Sequence, residues 1–261
     1  MNEARIETTM SSIAISSIVF ACVFGGAMLG MFIRGAILPQ HHSSSESKDV
    51  VKLGMGIVAT LSALVLGLLI ASAKGSYDAQ SSELTQMSAK VVLLDRLLAH
   101  YGPETQETRG LLRASAARIL DQMWSKKPAG SSPTVTPSSG AEILLDKIQE
   151  LTPKDDRQRS LQAQAQSIVL DLGQMRWLQY AQTSTSISMP LLVVLVFWLT
   201  TIFISFGLFA PANGTVFAGL LVSALSVSAA ILLILELYTP YSGLIQLSSA
   251  PLRDALMQLS R

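Results

Sequence analysis

Leu53 to Pro103 reads LGMGIVATLSALVLGLLIASAKGSYDAQSSELTQMSAKVVLLDRLLAHYGP. Its first part, Leu53 to Ala73, has no charged residue and reaches the roughly 20 residues that a helix needs to cross a hydrocarbon core of about 30 Å. Past Lys74, the residues Leu84, Met87, Val91, Leu94, Leu98 and Tyr101 recur at spacings of three and four, which draws one apolar seam along a water-facing helix. Gly75 and Ser76 are the only weak point between the two parts. The stretch predicts a single helix that leaves the membrane and runs to Tyr101, where Gly102 and Pro103 stop it.

Working outward, three further runs have the same apolar character. They are 11–33, closed by Arg34, then 189–209, and 216–237. With 53–73 they form two tight pairs, one on each side of a polar block. The fold class predicted is all-α: a polytopic membrane protein with four transmembrane helices (2+2) and a cytoplasmic helical bundle formed by extensions of helices 2 and 3. The expected division is an N-terminal segment 1–10, a hairpin 11–73, a cytoplasmic region 74–185, a hairpin 186–237 and a tail 238–261. Composition agrees, because 49% hydrophobic and 14% charged residues are too apolar and too charge-poor for a soluble domain of this size. The first run exceeds the roughly 7 to 15 residues of a secretory h-region and another span follows at once, so it is expected to remain a helix.

Basic residues give the orientation. The link between the first two spans carries Arg34, Lys48 and Lys52, and the link 210–215 carries none; the opposite side holds Arg5, thirteen lysines and arginines from Lys74 to Arg176, then Arg253 and Arg261. The excess marks the cytoplasmic side, so both termini and the middle block are expected inside a bacterial inner membrane.

Within the block, a helix is expected at 104–124 with Leu112, Ala116, Ile119 and Met123 on one face. The Ser, Pro and Gly-rich stretch 125–140 reads as a surface loop. A short helix at 141–151 follows, then a long one opened by Thr152 and Pro153, with Leu161, Ala165, Ile168, Leu172 and Met175 inward. That helix is expected to run on into the third span as the antiparallel partner of the first, with Trp177 and Tyr180 at headgroup depth. Its seams can be buried within one chain or shared between subunits.

Small residues form stripes in the spans. Gly56, Thr60, Ala63, Gly67 and Ala71 share one face of the second; the first repeats the device with Ser17, Ala21, Gly25 and with Cys22, Gly26, Gly30; the fourth has Gly219, Ser223, Ser226 and Ala230. Such stripes let helix backbones approach closely or line a water-filled path, and the second span is the better candidate for a path. No span interior holds Asp, Lys, Arg or His, so a proton relay lacks its parts. Glu236, near the cytoplasmic end of the fourth span, is read as an interfacial carboxylate, solvated or paired with Arg253, with a gate or ion-binding role as the alternative. It precedes a turn-forming set, Tyr238, Pro240, Tyr241, Ser242 and Gly243, and a short amphipathic tail from Pro251.

His41 and His42 stand among serines with Glu46 and Asp49 in the outer link, yet adjacent imidazoles rarely converge on one ion, so no metal is expected there. The single Cys22 excludes an intrachain disulfide. No phosphate loop, nucleophile with a base, or metalloprotease helix is present, so neither a cofactor nor an enzymatic activity is expected. A net charge of +1 gives no preference for nucleic acid.

Two stretches carry a resemblance: LPQHHSSSESKDVVKLGMGIVATLSALVLGLLIASAKGSYDAQ, from Leu38 to Gln80, and FGLFAPANGTVFAGLLVSALSVSAAILLILELYTPYSGLIQLSSAPLRDAL, from Phe206 to Leu256. They resemble the bestrophin-like family found in bacteria and plants, whose recurring residues here would be His41, His42, Lys48, Asp49, Glu236, Pro240, Gly243, Pro251, Leu252 and Arg253. The family name implies similarity to bestrophins, which are pentameric anion channels with four spans, cytosolic termini, a helical part between spans two and three, and a pore lined by the second span. This sequence departs from them in having no aromatic constriction in the second span and no acidic calcium-binding cluster. The resemblance implies a homo-oligomer in the lipid bilayer that passes small anions along the stripe from Gly56 to Ala71. A non-conducting scaffold or stress sensor, whose cytoplasmic bundle binds a protein partner, is the alternative.

Overall fold

The computed structural model describes residues 12–36, 45–124, 139–183, 189–211, 213–241 and 244–259. Among them the regular elements are helices: α1 Ser12–Ala36, α2 Ser45–Tyr101, α3 Gln106–Trp124, α4 Ser139–Gln149, α5 Asp156–Thr183, α6 Met189–Phe209, α7 Gly214–Leu237 and α8 Ala250–Leu259, with a 3-10 turn at Pro103–Thr105. Four of these, α1, α2, α6 and α7, are long and apolar enough to cross a membrane. Helix α2 passes through Gly75 and Ser76 without a break. The chain divides into two compact units, Met1–Ser76 with Ser186–Thr239, and Tyr77–Thr185 with Pro240–Arg261.

In the first unit α1 is the hub and packs on both α6 and α7. Its inward face is Ser16, Val19, Val23, Gly26, Ala27 and Gly30, all buried. Facing it, α6 buries Leu192, Leu195, Leu199, Ile202, Phe203 and Gly207, which share one helical face. Gly30 and Gly207 fix the approach: a Cβ on Gly30 would press on the Ile204 carbonyl and lie 2.9 Å from the Leu208 nitrogen, and one on Gly207 would press on the Ala27 carbonyl and lie 3.0 Å from the Met31 nitrogen. Backbones this close gain dispersion that lipid tails would otherwise supply. Of the two small-residue stripes expected on the first span, Gly26 and Gly30 of one are in contact, whereas Ser17, Ala21 and Gly25 of the other are exposed.

The second unit is built on the seam of α2. Leu84, Met87, Val91, Leu94, Leu98 and Tyr101 are all buried, and Val91, Leu94 and Leu98 share one core with Leu112 and Ala116 of α3, Leu144 and Ile148 of α4, Ala165 and Val169 of α5 and Leu259 of α8. Lys90 of α2 reaches Asp171 of α5 at 2.8 Å and the Tyr101 carbonyl accepts from Gln158 at 3.0 Å, so the rising and falling numbers make the two helices antiparallel. Gly102, at φ 146, takes a backbone that a side chain would strain, and this ends α2. The fully buried Thr105 hydroxyl donates back to the Leu98 carbonyl at 2.6 Å, satisfying a carbonyl in the last turn of α2.

Several expected boundaries shift. The helix expected from Glu104 begins at Gln106, because Pro103 opens a 3-10 turn first. Of the expected loop, 125–138 lies outside the described residues, and Ser139 and Gly140 already belong to α4. The join of α5 to α6, 184–188, also lies outside them, as does the side chain of Tyr180, while Trp177 is half exposed. The segment after Pro240 does not stand apart: α8 packs on α3, burying Leu252, Ala255 and Leu259, and the Arg113 guanidinium donates to the Leu259 carbonyl.

Candidate functional site: the exposed face of the second span

In the first unit the span of α2 stands out by what it lacks. Only 11% of its most apolar window is buried, against 33% for each of α1, α6 and α7. Gly56, Thr60, Ala63, Gly67 and Ala71 are all exposed, and nothing lies within 4 Å of where a Cβ on Gly56 or Gly67 would sit. The buried positions Ser62, Leu69 and Ala73 lie about 140° around the helix from that stripe, at 100° per residue. Helix α2 therefore turns Ser62, Leu69 and Ala73 inward and leaves the small-residue stripe exposed, together with Ile57, Leu61, Leu64 and Leu68. The Thr60 hydroxyl donates to the Gly56 carbonyl at 2.9 Å and Ser62 to Val58 at 2.8 Å, so each hydroxyl is satisfied within its own helix and adds only a modest dipole to the surface.

The far end of the span is tied to the end of α7. The Ser72 hydroxyl and the Tyr238 phenol are 3.1 Å apart, one turn beyond Gly67. Two residues before Tyr238, Glu236 is only 4% exposed. The sequence reading of Glu236 is an interfacial carboxylate, solvated or paired with Arg253, and its solvated form is corrected: the last turn of α7 buries Ile234, Leu235 and Leu237 as well, so the carboxylate is carried inward with them. Arg253 is exposed on α8. Pro240 is buried, and its carbonyl accepts from the Leu247 nitrogen at 2.8 Å, which closes the chain between α7 and α8. Trp124 stacks edge-on against Tyr241 at 5.8 Å and donates its indole hydrogen to the Leu247 carbonyl at 2.9 Å. Arg176 lies in the same second unit, and burial holds its guanidinium below its usual basicity, partly offset by the Tyr241 phenol.

The other residues singled out by sequence fall as follows. His41, His42 and Gly243 lie outside the described residues, as does the side chain of Lys48. Asp49 stands 3.8 Å from Lys52 one turn on, with both side chains largely exposed. Pro251 is half-buried in the first turn of α8, Leu252 is buried and Arg253 points to solvent. Among the described residues no group of three or more His, Cys, Asp or Glu gathers to hold a metal.

Sequence reasoning missed one feature of this unit. A groove of about 630 Å³ opens between the start of α2, the end of α6 and the start of α7, with Lys52 at one edge and Phe206, Phe209, Ala210 and Gly219 along it. Arg34 donates to the carbonyl of that same Ala210. Only the basic residues of the links hinted at it.

The fold has solved counterparts. Two crystal structures of point mutants of a bacterial bestrophin homologue from Klebsiella pneumoniae superpose on this chain with TM-scores of 0.65 and 0.66 at 12% identity. The first match covers 94% of this chain and 97% of that one, the second 93% and 96%. At that identity the likeness is one of fold. No curated protein matches the chain. A family model of the Bestrophin-like domain matches residues 21–252, taking in most of α1, the other three apolar helices and most of the second unit, and the chain therefore belongs to the Bestrophin-like family.

Proposed function

We propose that this chain assembles as a homo-oligomeric channel for small anions in the bacterial inner membrane, with both termini and the second unit on the cytoplasmic side. The observation that carries the reading is the bareness of the α2 span. Its window is buried only a third as much as those of the other three spans, and its small-residue stripe is exposed at every position. A helix in that state gains by packing against neighbouring copies, and a ring of such helices leaves the stripe around an axis. Selection in such a path would come from width, hydroxyl and backbone dipoles and hydrophobic gating, with no covalent step. Membership of the Bestrophin-like family and the shared fold with a bacterial bestrophin homologue support it. The scaffold reading has one observation in its favour: the second unit exposes Leu93, Leu170 and Met257, which a protein partner could cover.

Purified protein in anion-loaded liposomes tests the proposal. Wild type should release the anion faster than empty vesicles, and Gly67→Leu should abolish the difference. No flux from wild type across pH and voltage would sink the channel reading. A pull-down whose prey vanishes on deleting 84–175 would favour the scaffold.

A further inference from the structure

The groove beside α2 shares Gly56 with the small-residue stripe, and the rest of its lining has a chemistry that conduction does not call on. Its walls are apolar, with Met55 and Ala59 from α2, Phe206 and Phe209 from α6 and Leu220 from α7, and no carboxylate lines it. Its rim is cationic. Lys52 borders it directly, and Arg34 reaches the carbonyl of Ala210, itself a lining residue. The Asp49 contact of Lys52 is long and solvent-exposed, so it holds the ammonium only weakly.

We propose that this groove binds an anionic phospholipid, one acyl chain lying along Ala59 and Leu220 and the phosphate held by Lys52 and Arg34. Depth agrees with that assignment. Lys52 precedes the apolar run of α2 and Ala210 follows the last residue of α6, which sets both at headgroup level. Ala59 is two helical turns further in, about 10 Å, where a tail would lie. The charge pattern is complementary to a phosphate diester above a hydrocarbon chain, and cation to phosphate contacts are the strong class of hydrogen bond.

Native mass spectrometry of the full-length protein in detergent, titrated with phosphatidylglycerol or phosphatidylcholine, tests the inference. Wild type should retain phosphatidylglycerol about tenfold more tightly than phosphatidylcholine, and Lys52→Gln should remove that preference. Lys52 is exposed, so its substitution leaves packing intact. Gly219→Leu, where nothing lies within 4 Å of an added Cβ, should fill the groove and weaken retention of both lipids about tenfold. Equal phosphatidylglycerol retention by wild type and Lys52→Gln would overturn the headgroup assignment. Retention untouched by Gly219→Leu would overturn the groove. Displacement of the lipid by excess inorganic phosphate would make this a free-anion site and overturn the lipid. Absence of bound lipid, with an Ala59→Cys variant cross-linking between subunits, would assign the groove to a second copy and overturn the proposal.

Discussion

Substituting alanine at two glycines of α1, five residues apart, should have opposite consequences. At Gly25 an added Cβ meets nothing within 4 Å; at Gly30 it would press on the Ile204 carbonyl and lie 2.9 Å from the Leu208 nitrogen, where ordinary contact begins at 3.4 Å. The atoms in the way are backbone, so no rotamer change relieves the clash and α1 must part from α6 by on the order of 1 Å. A gap of that size forfeits a quarter to a half of each dispersion contact along the interface, and overpacking of this kind costs about 1–3 kcal/mol. The usual helix-propensity gain of alanine nearly cancels, because the dissociated spans remain helical in the micelle. Gly30→Ala should therefore lose about 1–3 kcal/mol and Gly25→Ala almost nothing. A buried thiol reports the opening. In a Cys22→Ser background, Val23→Cys sits on the α6-facing side, where Val23 is fully buried, and maleimide labels it only when the helices part. Its labelling rate should rise about 5- to 150-fold with Gly30→Ala, following the opening equilibrium. Native Cys22 is exposed and should label at one rate throughout. Equal rates for the Gly25 and Gly30 variants would refute the argument that glycine at 30 sets the approach.

The second unit offers further tests. Asp95 is only 3% exposed and accepts two bonds from Arg109, at 2.7 and 2.9 Å, which raise the guanidinium pKa against the pull of burial. Asp95→Ala leaves that guanidinium without its carboxylate; since the Arg109 side chain is 31% exposed, the expected cost is the lower end of a broken buried pair, about 2–3 kcal/mol, read as a drop in Tm in detergent. Glu104 accepts from Lys154 at 2.5 Å, and that bond holds its carboxyl below the usual 4.5. Its contribution is therefore complete above 4.5 and is lost as pH falls through the depressed value; Lys154, held above 10.5 by the same bond, loses its share only as pH rises beyond 10.5. Lys154→Met should flatten the acid limb of a pH-stability curve, and an unchanged limb would remove this pair from the account. Thr105→Val breaks the bond to the Leu98 carbonyl while keeping shape, and should lower Tm by the equivalent of about 1–2 kcal/mol.

What could be read from sequence was what repeats with the period of a helix. The seam from Leu84 to Tyr101 is buried at every position because a water-facing helix has only one apolar face to offer, and Gly102 ends it because glycine takes φ 146 without strain. Features depending on a second element stayed hidden. Asp95 and Arg109 are 14 positions apart across a turn, and nothing in their spacing marks them as partners. Val169 was passed over for Ile168, yet Val169 is buried and Ile168 only half-buried. The inward turn of Glu236 was hidden for the same reason: a carboxylate at the end of an apolar run reads as the point where the chain reaches water, and only packing of the last turn of α7 carries it inside.

The small-residue stripes show this limit most sharply, and they bear on where a pore wall could be. Sequence gives nearly the same pattern to α1, α2 and α7, and the structure divides them. Gly30 of α1 is filled because Gly207 stands opposite on α6, so two notches meet. At Gly56 and Gly67 of α2 an added Cβ meets nothing within 4 Å, and the same holds at Gly219 of α7, where the exposed Ser223 and Ser226 donate their hydroxyls to carbonyls of their own helix. An unfilled stripe alone thus does not choose between α2 and α7. Burial of the rest of each helix does, because α7 buries Leu220, Ala224, Ser228 and Ile231 and packs on α1, whereas the span of α2 buries only Ser62, Leu69 and Ala73 among the described residues. A helix held on one side can leave its other face to lipid, whereas one with so little held has most of its surface free for neighbouring copies to pack on. Leucine at 223 should therefore leave anion flux within about twofold of wild type, and leucine at 67 should remove it, because in the proposed channel only the second lies on the face that lines the path. Flux blocked by Ser223→Leu and spared by Gly67→Leu would move the wall to α7 and refute the reasoning from burial.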